Sequence, residues 1–207
     1  MPSNASKHFA SLIRYVEQLI AAHGNIQQGP GRRYEQEAIH RAGVVLVVAA
    51  WESYTEKVLT EAFATVVASA AGGPHWASHI LKLKEAEVKK TAGELNTPNA
   101  ENVQRMLKGA LEFDPISAWS WNAPKRKWNS NAMKERLNAW VKIRHSVAHG
   151  GDLPSNVTWI QAPKTQNPRL NLPLLKDCKS FFEHVVEQTD DAFRDWLINH
   201  HGVSAPW

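Results

Sequence analysis

Between Trp140 and Gly151 the chain reads WVKIRHSVAHGG, a run whose residue types could work on a phosphodiester. Arg144 carries a fixed guanidinium cation, and His149 carries an imidazole that can give or take a proton. Phosphodiester cleavage needs that pair: an acid or base for the hydroxyls and a fixed cation for the developing phosphorane. The setting is a helix whose inner face runs through Met133, Leu137, Trp140, Val141, Val147 and Ala148, and Arg144 shares this stripe. A guanidinium there requires a carboxylate or a polar cavity, because it cannot shed its charge. Glu52, just after the most apolar stretch of the chain, is the candidate partner. A purely structural ion pair is the plainer reading of such an Arg, and Glu52 can also be simply solvated.

Arg144 and His149 are five residues apart, about 500° of rotation on an ideal helix, so their side chains diverge by roughly 140°. Two arrangements let them share one phosphate. The helix can end at His149, as Gly150 and Gly151 suggest, since Gly takes the left-handed cap conformation. Alternatively, two copies of the helix can face each other across a dimer. Other chemistries fit less well. His145 and His149 stand four apart, like the ligands of an HExxH helix, but Ser146 occupies the place of the catalytic Glu and Arg144 adjoins one ligand, so no metal is expected. A Ser146–His dyad lacks elbow glycines, and GPGRR, the best glycine-rich loop, follows no strand.

These side chains need a scaffold, and the rest of the chain predicts an all-α one. Phe9, Leu12, Ile13, Val16, Leu19 and Ile20 repeat at helical spacing and stop before Gly24. The longest helix is expected from about Tyr34 to Ala71, apolar all round between Val44 and Trp51. A polar surface helix should follow from Ser78 to Leu95, then a short one with Thr97 as N-cap and Pro98 in its first position. Asn129 or Ser130 caps the motif helix. Asp152 to Pro173 is turn-rich, with VTWIQA as a short strand or extended chain, and a broad apolar stripe from Leu174 to Leu197 closes the chain. With no repeat, low-complexity tract or linker, residues 1–207 are expected to form one helical bundle in a single domain.

Composition narrows the function classes. Hydrophobic residues at 43% and charged residues at 21% exclude a disordered chain. The net charge of +4 suits an anionic partner, though only weakly. Cys178 stands alone, which excludes an internal disulfide framework and marks it as a small core residue. The N-terminus lacks a signal-peptide pattern and GVVLVVAAW is too short to span a bilayer, so a soluble, cytoplasmic protein is expected.

RHSVAH resembles the Rx4–6H motif of the HEPN superfamily, with Arg144, four intervening residues and His149, and with His145 as the polar residue that commonly follows the Arg. VVLVVAAWESYTEKVLTEAF resembles the second helix of HEPN domains, especially of the RiboL-PSP-type branch, and the order of helices agrees from about Ser6 to Trp196. The resemblance implies a helical bundle that dimerises, bringing two motifs together in a cleft. It further implies a metal-independent endoribonuclease without cofactor, acting on RNA in a toxin–antitoxin, antiviral or RNA-processing role, with an antitoxin protein as a further partner. By that resemblance Arg144 and His149 are catalytic. His149 handles the proton of the attacking 2′-hydroxyl or the leaving 5′-oxygen, and Arg144 neutralises the phosphate, leaving a 2′,3′-cyclic phosphate or its 3′-phosphate product. His145 orients the phosphate or shares proton transfer, or is a plain surface residue. HEPN-like bundles also serve as non-catalytic RNA-binding, nucleotide-binding or protein-interaction modules, and that alternative stays open.

WSWNAPKRKW admits two readings. Lys125, Arg126, Lys127 and Trp128 can form a single-strand platform on which bases stack and phosphates meet cations. The commoner explanation is that the segment is a connection whose tryptophans tuck into the bundle.

Overall fold

Six α-helices dominate the computed structural model, which describes residues 1–26, 36–70, 73–124, 126–162 and 167–207. They are α1 (Asn4–Ile26), α2 (Glu37–Ser69), α3 (His75–Gly93), α4 (Ala100–Leu111), α5 (Ser130–Ala148) and α6 (Leu172–His201). The fold is all-α, with one small hairpin, β1 (Trp121–Ala123) and β2 (Arg126–Trp128), between α4 and α5.

α1 continues through Gly24 instead of stopping before it. One glycine costs a helix only about 1 kcal/mol, and a tertiary contact holds the last turn. His23 is buried there, its Nδ1 lying 3.1 Å from Nε2 of His40 on α2. α2 buries Val44, Val47, Val48, Trp51, Tyr54 and Val58, as a long apolar helix must. Its apolar stretch is not covered on every side, however, because Leu46 is 40% exposed. Both expected ends, Tyr34 and Ala71, lie outside the described residues.

α3 is the expected polar surface helix, begun three residues early, at His75. The start of α4 differs from expectation. Its N-cap is Asn99, whose side chain accepts a hydrogen bond from the Asn102 N–H, and the helix begins at Ala100. Thr97 and Pro98 remain outside, because the Pro98 carbonyl is needed elsewhere: it accepts the buried Trp51 indole N–H at 2.8 Å. α5 is capped by Asn129, which accepts from the Ala132 N–H at 3.0 Å.

Trp51, Trp119 and Trp140 are fully buried in one hydrophobic cluster that runs from Ala5 to Val203. The turn-rich stretch after α5 covers the bundle, burying Leu153, Val157, Ile160 and Leu170. VTWIQA forms a 3-10 turn, Thr158–Ile160, rather than a strand, which sets Trp159 edge-on against Trp140 at 4.6 Å. Among the described residues no helix is long and apolar enough to cross a membrane.

Candidate active site at the end of α5

α5 lays Met133, Leu137, Trp140, Val141 and Ile143 into the core, and Arg144 lies in the middle of that arc. Its Nη2 reaches Oε2 of Glu52 at 3.2 Å, where α2 emerges from its buried stretch, and the two side chains are 24% and 19% exposed. Arg144 Nε is buried and has no hydrogen-bond partner among the described residues. The guanidinium is thus tied on one side and uncommitted on the other. Burial holds the Glu52 carboxyl above the usual carboxylate range, while Arg144 draws it down and Glu56 pushes it further up. Glu56 stands one turn along α2, and burial raises its carboxyl too. Sequence reasoning passed over Glu56, although its four-residue spacing from Glu52 in ESYTE was the available signal.

The helix end is built by two glycines. Gly150 takes φ +67°, and the N–H groups of Gly150 and Gly151 donate to the carbonyls of Val147 and Ser146 at 3.3 and 2.9 Å. A side chain at Gly150 would strain this left-handed cap. The His149 N–H still donates to the His145 carbonyl at 3.1 Å, so the helix keeps its rotation up to that residue. The His149 ring consequently falls on the ring of His145, with centroids 4.3 Å apart and planes at 49°, and both residues are exposed.

Termination of the helix therefore does not bring Arg144 and His149 together within one chain, contrary to the first of the two arrangements expected. Among the described residues no hydrogen bond or ring contact joins Arg144 to either imidazole. Among the described residues Ser146 makes no side-chain hydrogen bond with His145 or His149, and its carbonyl accepts the Gly151 N–H in the cap. None of the described cavities is lined by Arg144, His145 or His149. No cluster of three or more His, Cys, Asp or Glu able to hold a metal occurs among the described residues. Cys178 is fully buried, which pushes its thiol well above the ordinary range and leaves it a core residue.

The segment weighed as a nucleic-acid platform is the hairpin. Trp121 pairs with Trp128 and Ala123 with Arg126, which puts these four on one face, and Asn122 and Lys127 on the other. The first face is turned inward. Both tryptophans pack on Phe181, and the Arg126 guanidinium sits 4.3 and 4.5 Å from their ring centres while pairing with Asp177. Arg136 of α5 shares Asp177 at 2.5 Å and stacks 3.3 Å over Trp159. Arg126 and Trp128 are thus committed to intramolecular contacts, Lys127 faces outward, and Lys125 lies outside the described residues.

A family model described as RiboL-PSP-HEPN matches residues 10–195 of the chain. Neither the curated proteins nor the solved structures contain a match.

Proposed function

The chain belongs to the RiboL-PSP-HEPN family, and from that premise we propose that it is a metal-independent endoribonuclease formed by one HEPN-like domain over residues 1–207. Membership suggests a nuclease-like, RNA-related function. The finer reading is carried by one observation: two exposed imidazoles in ring contact at a helix end, one and five residues after a guanidinium whose Nε has no hydrogen-bond partner among the described residues.

In this reading His149 takes the proton of the 2′-hydroxyl as O2′ attacks phosphorus. The 5′-oxygen leaves with a proton from a second imidazole, for which His145 is placed, and the product is a 2′,3′-cyclic phosphate. Arg144 offsets the charge that builds on the phosphoryl oxygens, and Glu52 holds its plane. Because the helix stays regular to its last turn, Arg144 meets His149 only across a homodimer, with Arg144 of one copy and His149 of the other flanking one phosphate. We assign the protein the role of a cytoplasmic toxin or defence effector, opposed by an antitoxin partner. Lys127 remains the outward cation available to an RNA backbone.

RNA should be cut by the purified protein in EDTA, leaving cyclic phosphate ends. Arg144→Ala or His149→Ala should each abolish cutting while circular dichroism stays unchanged. Undiminished cutting in both variants would refute the assignment. The second reading, RNA or nucleotide binding without cleavage, is favoured by the separation of Arg144 from His149 within one chain. It predicts no cutting by the parent protein and a loss of RNA affinity in Arg144→Ala.

A further inference from the structure

α3 carries an apolar stripe that none of the described residues covers. Trp76, Ile80 and Leu83 repeat at the spacing of one helix face and are 67%, 51% and 64% exposed. Residues 73–84 contain no acid, and His75, His79, Lys82 and Lys84 surround the stripe. The first acids of the helix, Glu85 and Glu87, are paired with Lys89 and Lys84. An exposed apolar strip whose unpaired charge among the described residues is the cation Lys82 fits an apolar recess with an unpaired acid on its rim.

The chain itself offers one. Between α1 and α6 lies a groove of about 460 Å³, within the range of sites that accept bulky groups. Its floor includes Phe9, Ala10 and Val186, and its rim carries Glu183, Glu187, Asp191 and Arg194, with Asp191 paired to Arg194 and Glu183 to Lys179. Glu187 is exposed and has no ion-pair partner among the described residues. α3 packs against α2 and α4, whereas α1 and α6 build the groove, so the two surfaces belong to different parts of the bundle.

We propose that the α3 stripe of one copy docks in the α1–α6 groove of another, with Trp76 as the anchor and Lys82 facing Glu187. Such a contact joins unlike surfaces, so it runs head to tail from copy to copy, into a ring or an open chain, and never pairs the same patch with itself. Two α3 stripes packed on each other would instead oppose cation to cation.

Sedimentation velocity over a range of concentration tests this with two variants altered only at exposed positions. Trp76→Ala/Leu83→Glu silences the stripe, and Ala10→Arg/Glu187→Lys blocks the groove. The parent protein should grow in mass beyond a dimer with concentration, each variant alone should lose that further growth, and a mixture of the two should regain it, since each supplies the surface the other lacks. Loss in the stripe variant but not in the groove variant would indicate stripe-to-stripe pairing and overturn the proposal. A parent protein of constant mass, with the stripe left to a foreign partner, or a mixture that fails to associate, would overturn it as well. RNA cleavage is not read in this experiment, so its outcome is independent of the catalytic assignment.

Discussion

Arg144 and Arg136 lie on the same side of one helix, two turns apart, yet their environments separate their roles. Arg136 is enclosed by Trp159 and Trp140 and tied to Asp177, as expected of a structural cation. Arg144 has a single carboxylate and no aromatic cover among the described residues. Replacing Glu52 by Gln keeps an acceptor but removes the charge that Arg144 pairs with. RNA turnover should fall through kcat, because a less constrained guanidinium meets the phosphate less often. The pH dependence has a definite sign. In the folded chain the Glu52 carboxyl binds its proton more tightly than at its ordinary value of 4.5, so its contribution to stability declines as pH rises through that window. Urea titrations of parent and Glu52→Gln should therefore drift in the variant's favour as pH rises from below 4.5, on top of any constant offset. A drift in the opposite sense would show that Arg144, not burial, dominates this carboxyl.

At the scale of the element, α5 depends on its two ends. Asn129→Ala removes the acceptor for the Ala132 N–H and should cost about 1 kcal/mol. Gly150→Ala forces a side chain into a positive-φ cap and should cost about 1–2 kcal/mol. Each loss should appear as a fall in Tm of about 2–4 °C per kcal/mol. Only the Gly150 change sits beside the imidazoles, so it should lower RNA cleavage more than an equal loss of stability at Asn129. The hairpin makes a parallel case. Arg126→Ala empties a slot between two tryptophans and leaves Asp177 to Arg136 alone, and should register in Tm. Lys127→Ala should leave Tm in place and reduce the salt dependence of RNA binding. The opposite pattern would restore the platform reading for Arg126.

At the scale of the whole molecule, the catalytic proposal requires two copies. Co-expressed Arg144→Ala and His149→Ala chains form mixed dimers in which one of the two composite sites keeps both groups. Random pairing should then restore about one quarter of parent activity. A site contained within one chain would give no restoration. That measurement decides between the two arrangements that the five-residue spacing allows.

Much of the molecule was legible in the chain itself, because helical periodicity, caps and breakers act over a few residues. The all-α class, the buried middle of α2, the Asn129 cap and the pairing of an inner-stripe Arg with Glu52 all follow from such local rules, together with the cost of burying an unpaired charge. Contacts between distant segments settled the rest. Pro98 stays out of α4 because Trp51 needs its carbonyl, α1 passes Gly24 because His23 meets His40, and the hairpin turns Arg126 inward because Asp177 and Phe181 lie beneath it. Whether His149 turns toward Arg144 or His145 was equally beyond local rules. It depended on one backbone hydrogen bond at the last turn, whose geometry spacing alone leaves free.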